Sequence, residues 1–185
     1  MRIRDAMIEQ GPLLSGIVEM DESYMGGQPR KGNKRDDDTE GGNKSKRGCG
    51  TDKNPLNCTV AGGGRSVAKV KSKDELKFQD LRSMGKEHVD FNNCRLVTDE
   101  YRRYIPFRKI ISHETINHEV PSAIGDVHTN TIEDFWAILK RGIIGQYHKV
   151  SIKYLNCYID ELCLRYSRSN NYGDFNLMIA SAARI

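Results

Sequence analysis

Asp21 and Asp99 have the type and setting of paired catalytic carboxylates. Each closes an apolar, strand-like run, Gly16 to Asp21 and Cys94 to Asp99, where strand gives way to polar turn. A sheet would hold the backbone there while the carboxylate faces the edge of a cleft. A third acid, Glu133, follows Thr129 and Asn130, both competent helix N-caps, and so stands on a first helical turn. Lys140 lies two turns further along the same face. Mg2+ takes oxygen ligands in near-octahedral geometry. Carboxylates from separate elements can hold two such ions about 3.5–4 Å apart, clamping the attacking and leaving oxygens of an in-line displacement. The chemistry this would serve is the cutting and joining of phosphodiesters. Singly, each residue has a plainer reading. An Asp at a strand end is a common turn former, a Glu in a first turn suits the helix dipole, and Lys140 could reach a phosphate or be a solvated lysine.

The elements that must position these residues follow from hydrophobic periodicity. Leu56 to Ala61 and Ser66 to Val70 read as two strands of a hairpin turned by Gly62-Gly63-Gly64-Arg65. The glycine run lacks a Walker lysine and a helix context, so it is a turn and not a nucleotide cradle. Tyr24-Met25-Gly26-Gly27 closes the first strand. Asp74 to Lys86 has helical spacing through Leu76, Phe78 and Leu81, and Lys109 to Ser112 reads as a short strand. From Thr129, apolar residues at 132, 135, 136, 139 and 143 mark an amphipathic helix. Phe135 and Trp136 are adjacent in it, so one faces the core more than the other, with packing the default role of both. After a break near Gly145, a second stripe runs from Ile152 through Tyr166. The order is three strands, helix, two strands and two helices: a mixed α/β domain.

The bulk numbers agree. A chain of 185 residues fits one domain with a real core. Hydrophobic residues make up 37% and charged residues 29%, with mean hydropathy −0.64. No apolar run approaches the roughly 18 residues of a membrane span, and the N-terminus has no signal-peptide core. A cytoplasmic place is expected, nucleoid-associated if the host is bacterial. Net charge +4 permits a polyanionic partner without requiring one. The five cysteines, Cys49, Cys58, Cys94, Cys157 and Cys163, form no C-x-x-C pair and read as free thiols in a reducing compartment. Residues 28–57 carry eight Lys/Arg against five acids, with five glycines and almost no core formers, which predicts a mobile basic loop. It could lie along DNA, or, holding Asp36-Asp37-Asp38, be merely solvated.

Three blocks carry a family resemblance: Val18-Glu19-Met20-Asp21-Glu22-Ser23-Tyr24-Met25-Gly26-Gly27, Thr98-Asp99-Glu100-Tyr101-Arg102-Arg103-Tyr104, and His128-Thr129-Asn130-Thr131-Ile132-Glu133-Asp134-Phe135-Trp136. Lys140-Arg141-Gly142-Ile143, Gly145-Gln146-Tyr147-His148 and Tyr158-Ile159-Asp160-Glu161-Leu162 continue it. In this order they resemble the catalytic domain of insertion-sequence transposases of the IS1595 (ISXO2-like) group, over roughly residues 16–168. The resemblance implies a DDE transposase with an RNase H-like fold, a mixed central sheet flanked by helices, with the first Asp on the central strand, the second after a later strand and the third acid on a following helix.

It also implies Mg2+ or Mn2+ at Asp21, Asp99 and Glu133, cleavage at element ends to leave a 3′-hydroxyl, and attack of that hydroxyl on target DNA. The partners would be element ends, target DNA and further copies of the chain in a synaptic complex. The group carries either Glu or Asn as third residue. Glu133 is favoured here, because a carboxylate binds Mg2+ better and Lys140 suits its spacing; Asn130 is a cap, a metal-side ligand or the third residue itself. His118 and His128 could orient a phosphate or pack on the surface.

The expected layout is a short N-terminal remnant (1–15), the catalytic domain (16–168) and a C-terminal tail (169–185). Relatives carry a zinc-binding and helix-turn-helix region upstream, so an N-terminally truncated protein is expected. Where the family continues with an Asn-Arg pair, Ser167-Arg168-Ser169-Asn170 stands here, and the segment before Asp99 matches loosely. The rival readings are a catalytically idle DNA-binding or regulatory remnant, and another RNase H-like nuclease that cleaves without joining.

Overall fold

The structure, a computed structural model, describes residues 4, 7, 8, 11–25, 53–72, 76–116, 130–148 and 150–168. Its elements are β1 (Leu14–Met25), β2 (Asn54–Ala61), β3 (Ser66–Val70), α1 (Phe78–His88), β4 (Val89–Asp99), a 3-10 turn (Ile105–Lys109), β5 (Ser112–Ile116), α2 (Asn130–Arg141), a π turn (Gly142–Gln146) and α3 (Ile152–Ser167). The five strands form one sheet in the order β3-β2-β1-β4-β5. β2 is antiparallel to β1 and β3, while β4 is parallel to both β1 and β5. The expected mixed sheet flanked by helices is what the chain forms, with Asp21 on the central strand, Asp99 ending its neighbour and Glu133 on a following helix: the RNase H-like arrangement.

Alternation along β1 separates two cores. One face carries Val18 and Met20 into a cluster with Leu81, Leu96, Tyr104 and Phe107. The other carries Met25, beside Leu56, Cys58 and Val60 of β2, against α2 and α3. Every residue from Pro55 to Ala61 is buried, as a strand covered on both faces requires. α2 turns Ile132, Phe135, Trp136 and Leu139 inward. Both adjacent aromatics are buried, Phe135 at 1% and Trp136 at 5% exposure. α3 also closes an open edge: Asn156 Oδ1 accepts the Val70 N–H at 2.9 Å, Ser167 Oγ accepts the Ser66 N–H at 3.0 Å, and Lys69 pairs with Asp160 at 2.8 Å.

Several boundaries differ from the sequence reading. β1 begins at Leu14, two residues early, and a register shift with Gly16 at φ 77° lets it swing into line with β4. It runs on through Tyr24 and Met25, because β2 pairs with it as far as Met25↔Asn54. For the same reason the loop expected over 28–57 is corrected at its end: 54–57 belong to β2. The rest of that loop as far as 52, with Gly26 and Gly27, lies outside the described residues, as do His118, His128, Cys49 and the tail from 169. Lys109 to Ser112 is no strand. Pro106 fixes a 3-10 turn there, and β5 starts at Ser112, where the ladder to β4 begins. Among the described residues, Cys58, Cys94 and Cys163 are free thiols.

Candidate active site

β1 and β4 run side by side in the register Val18↔Leu96, Glu19↔Val97, Met20↔Thr98. One residue further, Asp99 stands beside Asp21 on the face that α2 covers. The two charges act on each other, and burial sets the balance. Burial raises the Asp21 carboxyl above its usual range, the Trp136 indole N–H and the Glu22 backbone N–H pull it down, Asp99 raises it and Lys140 lowers it. Trp136 Nε1–H donates to Asp21 Oδ2 at 2.9 Å. Sequence reasoning left Trp136 as packing; a bond spanning 115 residues leaves no local trace.

Asp99 is oriented from its own turn. The Tyr101 N–H donates to Asp99 Oδ1 at 3.1 Å. The Thr98 hydroxyl donates to the Asp99 carbonyl at 2.8 Å and meets His113 Nε2 at 2.9 Å. With the hydroxyl proton used on the carbonyl, His113 Nε2 carries the hydrogen of that second bond. His113 Nδ1 is then bare, and it is buried without a partner. Burial, with help from Arg108, pushes the ring down to about 4, so it is neutral.

The opposite face of β1 holds Glu22, opposite Asn57 in register. Asn57 Nδ2 donates to the Tyr104 hydroxyl at 3.3 Å, and that hydroxyl donates to Glu22 Oε2. Burial raises Glu22 to about 7, with Asp21 and Asp99 adding and Tyr104 and Arg103 opposing. Glu22 and Tyr104 lie inside the motif blocks, yet nothing in their local pattern announces the pairing.

α2 supplies the remaining candidates. At about 100° per residue, Glu133 and Lys140 lie roughly 60° and 40° round the helix from Trp136, on one rim, while Asn130 is about 120° away. All three are exposed. The structure thus brings Asp21, Asp99 and Lys140 into one electrostatic neighbourhood. Among the described residues no three His, Cys, Asp or Glu side chains gather as a ready metal cluster. Arg102, Arg108, Lys109 and Arg141 are exposed on the turn after Asp99 and at the end of α2. Among the described residues no helix is long and apolar enough to cross a membrane.

Comparison with known proteins adds a family. The model of the ISXO2-like transposase domain matches residues 13–167. No protein among the curated sequences matches. Among solved structures, the chain is similar to the catalytic core domain of HTLV-2 integrase in complex with magnesium. The trimeric form is 12% identical with TM-score 0.46, and the dimeric form 14% identical with TM-score 0.43. Each comparison covers 84% of this chain and 87% of the other.

Proposed function

We propose that this chain, which belongs to the ISXO2-like transposase domain family and is a DDE-type transposase catalytic domain, cuts at insertion-sequence ends and joins them to target DNA. The observation that carries this reading is the pairing of Asp21 and Asp99 on adjacent parallel strands. The donor set fits a divalent cation: both side chains offer oxygen, Asp21 is held by Trp136, Asp99 by Tyr101, and their mutual repulsion is what a bound cation would relieve. Asp21, Asp99 and Glu133 would hold Mg2+ or Mn2+, with Asn130 the alternative third residue. Bound there, the cations supply Lewis-acid polarisation of the phosphate and a nucleophile at neutral pH.

The chain's own groups position the reaction. Trp136 and Tyr101 fix the two carboxylates, and Lys140 reaches the phosphate beside Asp21. Water attacks the phosphodiester at the element end and frees a 3′-hydroxyl. That hydroxyl then attacks a target phosphodiester. Each step exchanges one P–O bond for another, so no covalent protein intermediate is needed. The exposed cations near Asp99 and on α2 would track the DNA backbone, with affinity falling as salt rises. The catalytic unit is residues 16–168 with flanking segments at either end. It works in the cytoplasm, on the nucleoid of a bacterial host, as a homo-oligomer that pairs two ends.

Cleavage and joining of labelled element-end DNA in Mg2+ or Mn2+, for the native chain and Asp99→Ala, tests this. Products that vanish in the variant support it. Undiminished products in a folded Asp99→Ala would sink the site. Silence from both, with fold and DNA binding intact, would make the protein an idle remnant.

A further inference from the structure

α2 meets β1 through two bonds whose spacing works as a ruler. Glu19, 2% exposed, accepts the Ile132 backbone N–H on Oε2 at 2.8 Å. Two residues along the same face of β1, Asp21 accepts the Trp136 indole N–H at 2.9 Å. Two residues of strand advance about 6.6 Å, and four of helix about 6 Å, so one register of α2 on β1 satisfies both bonds. A slip of one residue slides the helix about 1.5 Å and turns it about 100°, which breaks both.

The chemistry of the first bond is particular. Ile132 lies in the first turn, where amides have no intrahelical acceptor. A carboxylate there meets the positive end of the helix dipole as well as the N–H. Glu19 thus caps α2 from the sheet, although its burial takes it out of reach of DNA. Trp136 limits the rotation of the Asp21 carboxylate and sets Glu133 and Lys140 on the rim beside it.

We infer that Glu19 and Trp136 are positioning residues that together set the register of α2 on β1 and the orientation of Asp21 for cation binding. The inference rests on the reading of Asp21 and Asp99 as the cation pair. Neither residue touches the reacting atoms. Trp136 is also the sole tryptophan of the chain, so its emission reports on Asp21 directly.

Calorimetric titration with Mn2+ alone, beside thermal melting and cleavage kinetics, tests the assignment. Trp136→Phe keeps the buried ring and loses the N–H. It is expected to melt near the native temperature, bind Mn2+ about ten- to a hundredfold more weakly, and lose kcat without a change in KM for DNA. Glu19→Ala is expected to weaken Mn2+ binding in the same way, and Glu19→Gln, whose amide oxygen can still accept the Ile132 N–H, to recover most of the loss. That pair carries the test if Trp136→Phe does not fold. Native Mn2+ affinity and kcat in Trp136→Phe and Glu19→Ala, with binding abolished in Asp99→Ala, would overturn the positioning role and leave the cation site standing. Native Mn2+ affinity in Asp99→Ala would overturn the site and this inference with it.

Discussion

Two charges pull on the Asp21 carboxyl from opposite sides. Asp99 raises it and Lys140 lowers it, on top of the rise that burial imposes. Removing Lys140 must therefore move Asp21 up. In the metal-free protein, the acid titration seen through Trp136 emission should shift its midpoint to higher pH in Lys140→Met. An unmoved midpoint would mean that Lys140 does not act on Asp21. His113 makes the opposite kind of prediction. Its folded value of about 4 lies below the ordinary 6.5, so the folded state binds fewer protons between those values. The stability it contributes is present above pH 6.5 and lost as pH falls towards 4. His113→Gln should flatten that part of the melting-temperature profile, compared with the native chain over the same range. An identical slope would place the ring in contact with water.

At the scale of elements, α3 guards the outer edge of β3 through side chains, and that guard can be weighed. Asn156→Ala frees the Val70 N–H at an exposed position, and the loss should be about 1 kcal/mol or less by urea denaturation. Hydrogen exchange at Val70 should quicken while β1 amides stay slow; equal quickening in both would refute a local seal. The order of elements was legible in the sequence because apolar runs record the buried strands and period-3.6 stripes the helices that bury one face. Asp21 and Asp99 were legible because they sit where such stripes end. What was hidden depends on pairing between distant segments. β1 runs past Asp21 to Met25, into the expected turn, because β2 pairs with its end. Ile110 and Ile111 mimic a strand, but they follow the Pro106 turn and the ladder starts only at Ser112. Glu19 reads as a polar interruption of an apolar strand until Ile132 comes to rest on it.

At the scale of the whole molecule, one buried acid joins three separate segments. Glu161 of α3, its side chain 4% exposed, pairs with Arg4 at 2.6 Å, accepts the Tyr147 hydroxyl at 3.0 Å and pairs with Arg165 at 2.6 Å. Arg4 also lies over the Tyr158 ring, 4.2 Å from its centroid. The N-terminal segment, the stretch after the π turn and α3 therefore share one anion. The three bonds differ in weight. Arg165 is 55% exposed, so its pair contributes about 0.5 kcal/mol or less. Arg4 is 29% exposed and stacks on an aromatic face, so its loss should cost about 1–2 kcal/mol. Glu161→Ala strips all three donors of their acceptor and should cost about 3 kcal/mol. Urea unfolding of Arg165→Ala, Arg4→Ala and Glu161→Ala should rank them in that rising order. Limited proteolysis should open the N-terminal segment in the last two while the sheet stays intact. Should Glu161→Ala prove no costlier than Arg165→Ala, the buried acid is not what fastens the N-terminal segment to the catalytic domain, and the packing of Met7 must hold it instead.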